Sequence, residues 1–190
     1  MRKLFYAFGL TSALVFALAA HAAAPNFAGT WTLDKSKSQG LSQRVQNAES
    51  VSWVITQTEK EITVEEKITG GGGPGGPGGP PPGGAPGAGG GQGGGRGMMG
   101  PQGPRTFNLD GTETTGEAGR GKFVRKATLS SDGKTLELLS KLTFQNMEGN
   151  EITTTSSDKL SLSADGKVLT VVRHAETPRG AQDSTLVFNK

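Results

Sequence analysis

Arg125, Asp158 and Arg173, with Ser140 and Ser156, are the residues of this chain whose types and spacing suit binding chemistry. Guanidinium groups and hydroxyls recruit anions, and arginine's planar fork matches the geometry of a carboxylate or phosphate. Turn register brings the five together. A two-residue turn at Asp165-Gly166 sets Leu162 against Leu169, Leu160 against Val171, and Asp158 against Arg173. A three-residue turn over Met147, Glu148 and Gly149 sets Phe144 against Ile152 and Ser140 against Ser156. A two-residue turn at Asp132-Gly133 sets Leu129 against Leu136 and Arg125 against Ser140. Side chains alternate with period two along a strand, so all of these share one face.

That face is amphipathic. Leu129, Leu136, Leu160, Leu162, Leu169 and Val171 make an apolar end, and the five polar residues make the other. Two arginines against one aspartate leave positive charge. Inside a barrel this suits an anionic head group, with its tail laid against the leucines. The same spacing also fits strand ends that run past the core into water. There, Asp158–Arg173 would be a rim ion pair worth under about 1 kcal/mol.

The elements that must position these residues are strands. Val51, Trp53 and Ile55 alternate with polar residues, as do Ile62, Val64 and Ile68, and Glu59-Lys60 makes the turn between the two runs. Phe107 and Leu109 lead to Asp110-Gly111, and further alternating runs follow to Phe188. Asp-Gly between such runs is a strong hairpin signal, because a tight two-residue turn needs φ > 0 at both positions. It occurs three times. The octets beginning at Leu129 and Leu162 nearly repeat one another, as two hairpins with the same turn chemistry would. Only 42–48 suits a short helix. The expected fold class is all-β, an antiparallel up-and-down meander or small barrel of eight to ten strands.

Two stretches stand apart from that pattern. Arg2 and Lys3, an apolar run over 4–20, and Ala20-His21-Ala22 have the layout of a secretory signal peptide ending at residue 22. The chain is therefore expected to be exported, periplasmic or extracellular. Without Arg2 and Lys3 the formal charge falls from +3 to +1, which offers no argument for nucleic acid. There is no Cys, so stability must come from a hydrophobic core. The segment 70–104 holds eight of the ten prolines and is rich in glycine, and its composition predicts disorder. A loop of about 35 residues in place of about 5 costs only about 1.7 kcal/mol more to close. The expected organisation is one β domain over 23–190 interrupted by this flexible insertion.

At the head of the domain, Phe27-Ala28-Gly29-Thr30-Trp31-Thr32-Leu33 resembles the first-strand Gly-x-Trp of the calycin superfamily, the lipocalins and fatty-acid-binding proteins. The tail from Ser184 to Lys190 is similar to the closing strand of the fatty-acid-binding proteins. The resemblance implies an up-and-down barrel whose interior holds a small apolar or amphipathic molecule. Two features depart from it. The helical signal within 35–50 is poor for a two-helix lid, and the last strand has Leu186-Val187-Phe188 where the family has its carboxylate-gripping Arg-x-Tyr.

Other candidates carry less. Trp31 and Trp53 are expected to pack rather than stack on a ligand. Glu59, Glu61, Glu65 and Glu66 suit a charged outer face. Met98 and Met99 near Arg96 have no Cys or His beside them to hold a metal. His174 lies beside no nucleophile motif, and there is no phosphate loop or Gly-x-Ser-x-Gly. The expectation is a non-enzymatic protein without cofactor or metal and, once its leader is cleaved, without an integral membrane segment. It would bind a small hydrophobic or amphipathic, anionic ligand at Arg125, Ser140, Ser156, Asp158 and Arg173. The alternative is a filled barrel that presents the Gly/Pro-rich loop to a protein partner.

Overall fold

The computed structural model describes residues 25–70, 103–118, 121–146 and 148–190. The stretch expected to be a signal peptide and nearly all of the Gly/Pro-rich segment lie outside the described residues. Ten strands form one antiparallel sheet: β1 (Gly29–Leu33), β2 (Ser50–Gln57), β3 (Glu61–Thr69), β4 (Arg105–Asn108), β5 (Thr114–Ala118), β6 (Gly121–Leu129), β7 (Thr135–Gln145), β8 (Glu151–Leu162), β9 (Val168–Thr177) and β10 (Gly180–Asn189). Their spatial order is β4-β3-β2-β1-β10-β9-β8-β7-β6-β5. Every chain neighbour in this order is also a ladder neighbour except β4 and β5. β1 pairs with β10, setting Leu33 against Phe188, and so joins the two ends of the chain. The sheet curls until β4 lies beside β5 and β6 without a ladder, which makes a nearly closed barrel with one seam.

Alternation decides the inner wall. Val51, Trp53 and Ile55 on β2 are buried, as are Ile62 and Val64 on β3 and Leu136 and Leu138 on β7. Phe27, Trp31, Phe107, Leu160, Leu169 and Phe188 close the same cluster, each fully buried. Burying a large apolar side chain completely stabilises by about 1.5–3 kcal/mol, so a chain without disulfides can hold together on this core. Trp31 packs as expected, and its indole N–H donates to the Phe27 carbonyl at 2.8 Å.

The turns keep the expected register by a different construction. At Asp132-Gly133 the last ladder bond is Ser130 N–H to the Thr135 carbonyl, and at Asp165-Gly166 it is Ser163 N–H to the Val168 carbonyl. Each loop thus has four residues, not two. A four-residue loop centred on the same pair preserves every cross-strand partner. Only the glycines take positive φ (Gly133 +69°, Gly166 +67°), and both aspartates stay at negative φ. Each aspartate instead accepts from the serine two positions before it and from the backbone N–H two positions after it. The near-repeat of the two octets is this shared turn chemistry. Asp110-Gly111 is no hairpin at all. It connects β4 to β5 across the seam, where no ladder forms.

The expected short helix is α1 (Gln43–Asn47), with the Ser42 hydroxyl as its N-cap. It belongs to a long connection tied to β10 by a bridge between Gln39 and Thr185 and by Gln182 donating to the Gly40 carbonyl. Leu41 and Val45 of this connection pack against the core.

Candidate functional site

The five sequence-predicted residues come to one face of the sheet with the expected partners. Arg125 pairs with Ser140, Ser140 with Ser156, and Asp158 with Arg173. These are consecutive inward positions, one layer along from the leucines. Asp158 has 0% exposure, which removes the alternative of a rim ion pair in water. Arg173 grips it with two bonds, Nε to Oδ1 at 2.6 Å and Nη2 to Oδ2 at 3.0 Å. Leaving such a carboxylate unpaired would be strongly destabilising, so the fork geometry is what makes its burial tolerable.

The layer contains more than the sequence pattern singled out. Arg105 on β4 is buried and reaches Asp158 Oδ2 at 3.5 Å, a longer and mainly coulombic contact. Glu66 on β3 also faces inward and accepts from the Trp53 indole N–H at 3.1 Å. This corrects the expectation that Glu66 joins Glu65 on an outer face. Arg105 and Arg173 both lie against the Trp53 ring, 5.8 and 5.4 Å from its centroid, and Phe188 packs on the same ring at 5.1 Å. Trp53 therefore packs, as expected, and also supports the two guanidinium groups. Both added residues were readable by parity. Arg105 stands two before Phe107, and Glu66 stands between Val64 and Ile68.

Charge is held in place by mutual neutralisation. Burial pushes the Asp158 carboxyl up, but Arg173 and then Arg105 outweigh it and keep it below the usual carboxylate range. Burial likewise disfavours charge on Arg173, and Asp158 overcompensates, so its basicity rises. For Arg105 burial wins over Asp158 and the basicity falls. The inward charges of the layer are three guanidiniums (Arg105, Arg125, Arg173) and two carboxylates (Glu66, Asp158), a net of one positive charge.

The layer also divides the interior, and this corrects where a tail could lie. Leu136, Leu160, Leu169 and Val171 have 0–1% exposure because core side chains already fill the space against them. Leu129 and Leu162, half-buried at that same end, pack against the core, whereas Phe123 on β6, Leu142 and Phe144 on β7, and Ile152 on β8 are half-buried inward residues on the other side of the charged layer. That side places half-buried apolar side chains next to the charged layer.

Elsewhere the candidates are quiet. His174 points outward and bonds to Asp183 at 2.6 Å, with Glu176 at 3.5 Å. Leu186 and Phe188 of the last strand pack inward, so nothing there grips an anion. Among the described residues no group of three or more His, Asp or Glu side chains could hold a metal ion. No described helix is long and apolar enough to cross a membrane.

No protein-family model matches the sequence, and a comparison with curated proteins finds no match. Among solved structures the chain is similar to the zebrafish ileal bile acid-binding protein complexed with cholic acid. Sequence identity is 13%, the match covers 86% of this chain and 98% of that one, and the TM-score is 0.43. The likeness is one of outline and assigns no ligand to this chain.

Proposed function

We propose that this chain is an exported, non-enzymatic barrel that binds a small amphipathic anion in the open part of its lumen. The carrying observation is the buried charged layer. It sits inside a barrel, retains one positive charge, has a filled apolar core behind it, and has half-buried apolar side chains in front. A purely structural interior would be better served by apolar residues, because buried ion pairs rarely outdo hydrophobic replacements of similar volume. A head group against the arginines and an apolar body against Phe123, Leu142, Phe144 and Ile152 uses both kinds of surface.

Export rests on the leader-like first 22 residues. The rival account, a filled barrel presenting 70–104 to a protein partner, requires no net charge inside. Native mass spectrometry of the full chain, expressed with its leader and purified from the exported fraction, separates the two. The proposal predicts a polypeptide beginning at Ala23 and carrying a non-covalently bound amphipathic molecule. A clean apo mass, together with no uptake of added amphiphile, would contradict it.

A further inference from the structure

One row of the inner wall has no use in the ion network just described. Thr114 on β5 stands opposite Arg125 on β6, and Arg125 stands opposite Ser140 on β7. Directly opposed side chains on one face have Cβ atoms about 4.5–5.5 Å apart, so Thr114 and Ser140 are each an immediate neighbour of Arg125, one on either side. The hydroxyls of Thr114 and Ser140 are buried and have no hydrogen-bond partner among the described residues. Buried polar atoms are nearly always partnered, and two exceptions flanking one arginine need a common cause.

The arginine between them is also unsatisfied. Among the described residues no carboxylate reaches ion-pair distance of Arg125, whereas Arg173 and Arg105 share Asp158. Its guanidinium rests on the Phe123 ring, 4.0 Å from the centroid. That ring in turn lies across Gly116, where an added Cβ would come within 2.6 Å of it. Burial, and then the nearby charge of Arg105, both work against the charged form of Arg125. An anion would relieve both. The layer's one uncompensated positive charge is thus located at Arg125, between two hydroxyls that have nothing to donate to.

Resting on the reading above that the lumen takes an amphipathic anion, we infer that Thr114, Arg125 and Ser140 form its seat. The geometry points to a monoanionic head group, a carboxylate or sulfonate. The guanidinium fork and two hydroxyls offer about four donors in a line, which matches the roughly four lone-pair sites of a carboxylate. One net positive charge balances one negative charge, and a dianionic phosphate would leave excess charge in a low-dielectric interior. Asp158 then serves as a positioning residue. It holds Arg173 and Arg105 in place and does not touch the ligand.

Isothermal titration with decanoate, decanol and decyl phosphate at pH 8 tests this. Wild type is expected to bind decanoate more tightly than either of the others. Arg125→Gln should weaken decanoate by about tenfold or more, the effect of losing a charged hydrogen-bond partner, and leave decanol unchanged. Thr114→Val and Ser140→Ala give a readout independent of any folding defect at Arg125. Each removes an unsatisfied hydroxyl, so each should hold or raise Tm while weakening decanoate several-fold. If both hydroxyl variants keep full decanoate affinity, the hydroxyls serve only water and the inference is overturned. If wild type binds decanoate and decanol equally, or Arg125→Gln keeps the preference, the seat is elsewhere although the barrel still binds amphiphiles. If wild type binds none of the three, the functional proposal falls and the seat falls with it.

Discussion

Asp158 is the residue on which the interior depends. It is the acceptor for both Arg173 and Arg105, and the inward face of β8 carries no other carboxylate. Replacing it with Asn leaves a buried and a half-buried guanidinium facing a neutral amide. Unfolding in urea should show a loss of about 3–5 kcal/mol, the usual cost of removing one partner from a buried pair. A loss under about 1 kcal/mol would mean the arginines relax into solvent. The sign of the pH effect follows from the depressed carboxyl. Its contribution is present above the unfolded value of about 3.9 and is lost as pH falls through the lower folded value. The Asp158 contribution should therefore be flat from about pH 7 to 5 and fall below about pH 4, and Asp158→Asn should reduce that acid-side slope. His174 behaves in the opposite sense. Hydrogen bonds to Asp183 first and Glu176 second raise its pKa. Its contribution is present below the unfolded value of about 6.5 and is lost as pH rises through the folded one. An NMR titration should put its midpoint above about 6.5, and Asp183→Asn should bring it down. An unmoved midpoint would show that the 2.6 Å contact does not persist in solution.

At the scale of elements, the hairpins explain both what could be read in advance and what could not. Period-two alternation and turn position specify register, so the pairing of Arg125 with Ser140 and of Asp158 with Arg173 was legible from residue types alone. The loop conformation was not, because a two-residue and a four-residue loop centred on one Asp-Gly give identical partners. The aspartates stay at negative φ by accepting local hydrogen bonds, which leaves the left-handed position to glycine. Gly166 has φ +67°, and a methyl group added there would meet only open space. Gly166→Ala should consequently cost about 1–2 kcal/mol from backbone strain alone. A cost near zero in thermal unfolding would mean the loop can adopt another turn. Arg105 and Glu66 escaped notice for a different reason. Their neighbours suggested a disordered boundary and an acidic outer face, and only strict parity with Phe107 and Val64 places them inside. The seam between β4 and β5 was hidden because Asp110-Gly111 carries the same residues as the true hairpins.

For the whole molecule, the barrel joins its first and last strands through β1 and β10, while the long Gly/Pro-rich segment falls in sequence between β3 and β4. Because β3 and β4 pair directly in an antiparallel ladder, the segment between them is expected to be dispensable for folding. Replacing 71–102 by a short Gly-Ser linker should change stability by no more than about 2 kcal/mol, the scale of the altered loop closure. Collapse of the cooperative transition would show that the segment belongs to the folded domain. The ends of the chain and the barrel order were legible from Gly29-Thr30-Trp31 and the run of alternating strands. The division of the lumen was not, because it depends on which leucines the aromatic core already covers. We propose that an anionic amphiphile enters the half of the barrel lined by Phe123, Leu142, Phe144 and Ile152 and stops at the charged layer. Backbone and Trp Nε1 NMR shifts during decanoate titration test it most directly. The predicted result is saturable change at Thr114, Phe123, Arg125, Ser140, Leu142, Phe144, Ile152 and the Trp53 indole, with Ile62, Phe107 and Leu169 still. Changes confined to the outer face, or none at saturating decanoate, would contradict it.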